Sequence, residues 1–238
     1  MTDFAEIWSY LASGPLVWLT LTLVAYVAGD TLSQASGRAP LANPVLIAVI
    51  LLALVLWGSG TPYPVYFEGA QFVHFLLGPA TVSLAIPLWQ QGHRLRRALL
   101  PVLAGLAAGS LVAVVSALGI ARALGVDSET LAALAPKSTT APVAIGIAQS
   151  LGGSPTLAAV LVLLTGITGA VIATPLLNAL GVKDWRARGL AVGTAAHGIG
   201  TARALQVHPR AGAYAGIGMG LNAILTAFLA PFIFRAFG

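Results

Sequence analysis

Apolar stretches of near-membrane length alternate with short polar breaks along the whole chain. The first runs from about Leu16 to Ala28 and ends near Asp30. The second opens at Asn43-Pro44, with proline in a tolerated first-turn position, and runs to Trp57. GSGTPYP (Gly58–Pro64) reads as a loop. The third stretch, Phe72–Trp89, carries Pro79 and Pro87 inside it. Further apolar stretches cover Leu99–Ala121, Leu131–Leu151, Leu157–Leu180 and Gly212–Phe234, while GLAVGTAAHGIGTARALQ (Gly189–Gln206) is rich in small residues and only weakly apolar. A membrane helix needs roughly 20 mostly apolar residues, so this pattern predicts an all-α polytopic membrane protein with about seven to eight transmembrane segments. The expected layout is a single integral membrane domain over 1–238. N-terminal helices occupy 1–71, a first interrupted-helix unit 72–126, and a second such unit with the C-terminal helices 127–238.

Composition supports this reading. The chain is 58% hydrophobic and 8% charged, whereas a soluble domain carries about a quarter charged residues. The N-terminus, with Asp3 and Glu6 and no basic stretch, does not read as a signal peptide. The formal charge of +5 sits in short loops between apolar runs, which fits the positive-inside rule and gives no reason to expect nucleic acid. Cysteine is absent, so disulfides and thiolate chemistry are excluded.

Charge also bears on topology. QQGHRLRR (Gln90–Arg97) is the strongest basic cluster and is expected in the cytoplasm. If every later segment crosses, the second basic loop, with Lys183, Arg186 and Arg188, lands outside. Either the rule fails there, or the segment Leu131–Leu151 dips in and returns on the same side. A re-entrant segment is tolerated only where it is buried in protein or lines a cavity.

That segment contains PKSTTAPVAIG (Pro136–Gly146), which echoes LGPATVSLAIPLW (Leu77–Trp89). Both combine prolines (Pro136 and Pro142; Pro79 and Pro87) with hydroxyls (Ser138, Thr139 and Thr140; Thr81 and Ser83). A second echo links ARALGVD (Ala121–Asp127) to NALGVKD (Asn178–Asp184). Repetition points to a duplicated unit, in which inversion stays open. Proline removes a backbone donor and opens the helix, and an exposed helix N-terminus attracts anions. Paired interrupted segments are the best sequence pointer to a transporter site.

Lys137 is the leading candidate for substrate charge, because a lysine at a helix centre costs ~2.5–3.5 kcal/mol on insertion scales. It is either a snorkelling residue or a cation facing a cavity, and the adjoining hydroxyls favour the cavity. His197 lies among Thr194 and Thr201, on one face if the segment is a regular helix. It reads as a substrate contact, a proton relay or a packed histidine. Arg203 is a second anion ligand or an end-of-helix anchor. Asn222 is an anion or coupling ligand or helix–helix glue. Asp30 is the one acidic residue considered for ion coupling. Gly105 with Gly109, and Gly212 with Gly216 and Gly220, read as packing ladders compatible with a dimer or larger homo-oligomer. No paired buried carboxylates, HExxH or GxSxG occur, so neither an enzyme nor a metal site nor a cofactor is expected.

NPVLIA, GPATVSLAIPLW, PKSTTAPVAIGIAQSLGG and RGLAVGTAAHGIGTARAL together resemble the LrgB/CidB family, also described as antiholin-like or murein hydrolase export regulators. The motifs fall in both halves of the chain. Trp89 departs from the tyrosine that often follows Pro-Leu in the family. The resemblance implies a multi-pass protein of the bacterial cytoplasmic (inner) membrane. Its functional implications divide. Plastid relatives are similar to glycolate/glycerate transporters, and some bacterial members are linked to pyruvate-like acids. Others are named for modulating autolysis with a small holin-like partner of the LrgA/CidA type. On the carrier reading, Lys137 would supply charge, and Thr81, Ser83, Ser138, Thr139 and Thr140 hydrogen bonds, with His197 and Thr201 nearby.

Overall fold

The computed structural model describes residues 14–76, 79, 82, 83 and 99–237. They fall into two compact units, 1–83 and 84–238, each taken by itself below. The described elements are all α-helical. Four of the helices are long and apolar enough to cross a membrane.

In the N-terminal unit, α1 (Pro15–Ala35) continues past Asp30, five residues beyond the expected stop. Asp30 there accepts from Gln34 Nε2 at 2.6 Å and pairs with Arg38 at 3.8 Å, so the polar residue extends the helix end instead of breaking it. Helix α2 (Pro44–Ser59) starts on an Asn43 cap whose Oδ1 accepts from the Val45 and Leu46 amides. Helix α3 (Tyr63–Phe75) begins nine residues before the expected Phe72, which leaves only residues 60–62 as the loop. Trp18, fully buried, meets Tyr66 edge-on at 5.9 Å.

The C-terminal unit holds α4 (Leu99–Ala123), α5 (Ser128–Leu134), α6 (Ala141–Ser150), α7 (Pro155–Ala179), α8 (Trp185–Val207) and α9 (Pro209–Phe237). The two ALGV phrases do the same local work. Each glycine takes a left-handed conformation (Gly125 φ 78°, Gly181 φ 66°) that ends a long helix. The Val126 amide bonds the Ala121 carbonyl at 3.1 Å, and the Val182 amide bonds the Leu177 carbonyl at 3.0 Å. An aspartate then caps the next helix: Asp127 accepts from the Thr130 amide, Asp184 from the Arg186 amide.

Each cap opens a helical hairpin. In the first, α5 and α6 are joined by a non-helical turn at residues 135–140 and run back to back. Ala133 of α5, Ala148 of α6 and Ala158 of α7 share one buried cluster. Gly153, just after α6, lies so close to the Ala133 amide that a Cβ would meet it at 2.7 Å. The chain has therefore doubled back against the last turn of α5.

The second hairpin is α8 itself. As a straight helix its 23 residues would span about 35 Å. Instead the Trp185 ring stacks on His208 with centroids 4.6 Å apart. The reversal is at Ala196 (φ −125°, ψ 17°) and His197 (φ 41°, ψ −132°). Two limbs result, 185–195 and 198–207. The expected common face for Thr194, His197 and Thr201 is thereby corrected: Thr194 and Thr201 lie on opposite limbs, because His197 is left-handed and the helical register does not run through it.

The first limb packs on α9 at backbone distance. A Cβ on Gly189 or Gly193 would run into the carbonyl of Ala211 or Ala215. Gly212 is tight as well, a Cβ there standing 2.7 Å from the Leu205 Cα of the second limb, whereas nothing lies within 4 Å of a Cβ at Gly220. Helix α4 spans the unit, with Val102 against Tyr214 at one end and Gly119 beside Phe237 at the other. The first hairpin is based at the C-terminal end of α4, the second at its N-terminal end.

Candidate functional site

Both hairpin tips come together on one side chain. Asn222, 1% exposed in the middle of α9, donates from Nδ2 to the Ser138 carbonyl at 2.9 Å and to the Thr194 carbonyl at 3.0 Å. Its Oδ1 accepts from Ser110 of α4 at 2.5 Å and from Thr226 at 3.2 Å. A turn of the first hairpin, the last helical turn before the reversal of the second, and two long helices are thus tied to one amide. Both donors and both acceptor positions of Asn222 are in use. Opened helix ends leave carbonyls without partners, and a buried carbonyl left unpaired is costly.

Around this amide lie most of the candidates from the C-terminal half. Ser138, Thr139 and Thr140 are buried, as are His197 and Thr201. Thr139 turns its hydroxyl onto the Pro136 carbonyl at 2.9 Å, closing the tight turn. Pro136 is fully buried and Pro142 sits in the first turn of α6, where its missing N–H leaves no helical bond unmade. Thr140 is the residue before α6, yet its side chain makes no capping bond. His197 Nε2 lies 2.9 Å from the Val162 carbonyl of α7. A carbonyl only accepts, so that nitrogen carries the proton. Thr201 donates to the His197 carbonyl at 2.7 Å.

Lys137 is half-buried, with Nζ 3.1 Å from Ser138 Oγ and within electrostatic reach of His197. No ion pair to it forms among the described residues. The carboxylates of residues 84–238 are Asp127, Glu129 and Asp184, all at helix ends away from the tips. The arrangement is therefore cationic: one ammonium beside the N-termini of α6 and of the second α8 limb, each of which carries partial positive charge. Chemically it favours a small anion.

Other candidates lie elsewhere. Arg203, on the second limb of α8, borders a small void together with Arg188 near the hairpin base. Arg188 is buried and donates to the Val182 and Thr174 carbonyls while lying 5.0 Å over the Trp185 ring. Asp30, Pro79 and Ser83 belong to the N-terminal unit, and Thr81 and Pro87 lie outside the described residues. Among the described residues no His/Asp/Glu group could hold a metal.

Ser110 and Thr226 were not singled out from sequence. The available signal was Thr226 four residues after Asn222 on an otherwise apolar helix, a spacing that places both on one face.

The sequence model of the LrgB-like family matches residues 22–236. The chain belongs to that family. Two relatives illustrate the similarity. The chain is 34% identical to YxaC of Bacillus subtilis (strain 168), covering 92% of this chain and 94% of that protein. It is 32% identical to the "Holin-like protein CidB" of Staphylococcus epidermidis (strain ATCC 12228), covering 93% and 96%. No solved structure matches the chain. This LrgB-like chain is a multi-pass membrane protein, carrying the family's sequence over nearly its full length together with four membrane-length apolar helices.

Proposed function

We propose that this protein carries small monocarboxylates, of the 2-hydroxy or 2-keto acid class, across the membrane by alternating access. The observation that carries the reading is Lys137: a cation with no ion-pair partner among the described residues, held at the tip of one helical hairpin where the tip of another meets it. On this reading Lys137 takes the carboxylate, and Ser138, Thr140 and Thr201 provide hydroxyls. His197 closes the site from the second tip.

The hairpins are read as an inverted repeat. Each follows a long helix and the ALGV phrase, and each is followed by a helix that opens on a proline and carries another near its far end: Pro155 with Pro175, Pro209 with Pro231. The hairpins are based at opposite ends of α4, as inversion requires. If both are re-entrant, Lys183, Arg186, Arg188 and Arg210 share the side of the basic cluster that precedes α4, and the charge rule holds throughout. The twin of the PKSTT turn is then the AAHG reversal.

Uptake of labelled glycolate or pyruvate into proteoliposomes tests the proposal. Saturable flux that Lys137→Ala abolishes and Lys137→Arg partly keeps is expected. Equal flux from wild type, Lys137→Ala and empty vesicles sinks it.

A second reading rests on the relatives' names. CidB is called holin-like, and this favours a membrane modulator of murein hydrolase export and autolysis, acting with a small holin-like partner. Of the two readings it is the one that the names support, whereas the carrier stands on geometry. Size-graded dye leakage from vesicles, insensitive to Lys137→Ala, would favour it.

A further inference from the structure

His197 turns the chain where a glycine would turn it more easily. Its backbone lies at φ 41° and ψ −132°, a combination that glycine tolerates and a residue with a Cβ avoids. Glycines stand close by at 193, 198 and 200, yet this position carries an imidazole. A strained residue retained where an unstrained one would serve is explained by its side chain.

Helix α7 fixes the ring. Nε2 donates to the Val162 carbonyl at 2.9 Å, and a Cβ on Gly166 would stand 2.6 Å from Cε1. With the proton on Nε2, the basic lone pair is on Nδ1. Nδ1 has no hydrogen-bond partner among the described residues and keeps accessible surface.

Few charges surround it. Helices α6 and α7 contain no titratable residue. Arg122 of α4 and Glu129 of α5 lie at the base of the first hairpin. The arginines of α8, and Arg210 and Tyr214 of α9, lie toward the base of the second, and Arg235 is in the last turn of α9. Among the described residues, Lys137 is the charge within electrostatic reach of the ring, because one Asn222 amide holds the Ser138 and Thr194 carbonyls together. A proton on Nδ1 of the empty site would set a second cation beside the Lys137 ammonium, which a low-dielectric interior penalises. A carboxylate seated on Lys137 cancels that charge and gives the new N–H an acceptor. Anion and proton then favour each other's binding, and the coupling is reciprocal.

We propose that His197 couples the carrier to protons, taking one at Nδ1 with each carboxylate and releasing both on the far side. The inference rests on the carrier reading. The proton comes from water on the entry side and returns to water on the exit side, while Lys137 stays charged throughout. The empty site and the site loaded with carboxylate and proton therefore carry the same net charge, and transport is electroneutral.

Saturable uptake of labelled glycolate or pyruvate into proteoliposomes tests this, with potassium and valinomycin setting the membrane potential independently of the pH gradient. With the outside more acidic, wild type should accumulate either acid about tenfold per pH unit at equilibrium, whatever the potential. His197→Gln keeps a donor for the Val162 carbonyl but has no titratable nitrogen, and His197→Gly relaxes the backbone. Either should leave an anion uniporter, driven by an inside-positive potential and indifferent to the pH gradient. Wild-type protein in weakly buffered detergent should also take up protons when glycolate is added, a readout that needs no variant. Wild-type uptake that follows the potential and ignores pH, or coupling unchanged in both variants, overturns the proton role and leaves the carrier standing. Wild type without saturable uptake overturns both.

Discussion

Replacing Asn222 with alanine removes four hydrogen bonds at once, two to hairpin carbonyls and two from hydroxyls. In membrane proteins a side-chain hydrogen bond contributes about 0.6 kcal/mol on average, so four give about 2.4 kcal/mol. The Ser138 and Thr194 carbonyls are then stranded in a dry site, where an unmet acceptor costs about 1–3 kcal/mol if nothing relaxes. Partial relaxation puts the expected loss at about 2–4 kcal/mol. Asn222→Asp has nearly the same shape but turns an oxygen toward both carbonyls. It should destabilise at least as much as alanine, which packing alone would not predict. The assay is equilibrium unfolding in detergent micelles by SDS titration, followed by tryptophan fluorescence, with a double-mutant cycle against Ser110→Ala. A coupling of about 0.5–1 kcal/mol is expected for contacting partners. If Asn222→Ala lies within about 0.5 kcal/mol of wild type, the range of an ordinary surface change, the amide is not what joins the two tips.

Two further outcomes follow from the same geometry. Gly193→Ala should abolish the folded protein in detergent, because its Cβ meets the Ala215 carbonyl, whereas Gly146→Ala on α6 meets nothing within 4 Å and should be neutral or mildly stabilising; equal yields of monodisperse protein would refute the close packing of α8 on α9. The Asp184 carboxyl is pulled down to about 2, first by the Arg186 side chain and then by its amide. Its folded value lies below the unfolded value near 3.9, so its stabilising contribution is complete above about pH 5 and fades as pH falls toward 2. The stability difference between wild type and Asp184→Asn should narrow over that window; a constant difference would count against the capping pair.

Much of the site was legible residue by residue. Lys137 with its hydroxyls stood out because a cation and a proline-bounded polar run are costly in an apolar stretch. The ALGVD and ALGVKD phrases stood out as an echo, and their local physics, glycine for a left-handed stop and aspartate for a cap, is what they perform. What they lead into was not legible. The other echo, between the PKSTT turn and Leu77–Trp89, falls largely outside the described residues. The second hairpin turns without proline.

From the sequence alone came the membrane class, some helix starts such as Asn43-Pro44 and Leu99, and the short list of polar residues that an apolar chain must justify. Those are local or compositional properties: hydropathy summed over a window, a cap, a donor removed by proline. Only the tertiary structure decided that α8 reverses. His197 adopts a left-handed φ that a non-glycine residue avoids by itself. The reversal stands because partners remote in sequence hold its limbs: Gly189 and Gly193 on α9, Val162 on the imidazole, Trp185 on His208. The meeting of both tips on Asn222 is equally non-local. One amide, 84 residues from Ser138 and 28 from Thr194, satisfies carbonyls that each broken helix exposes but cannot itself pair.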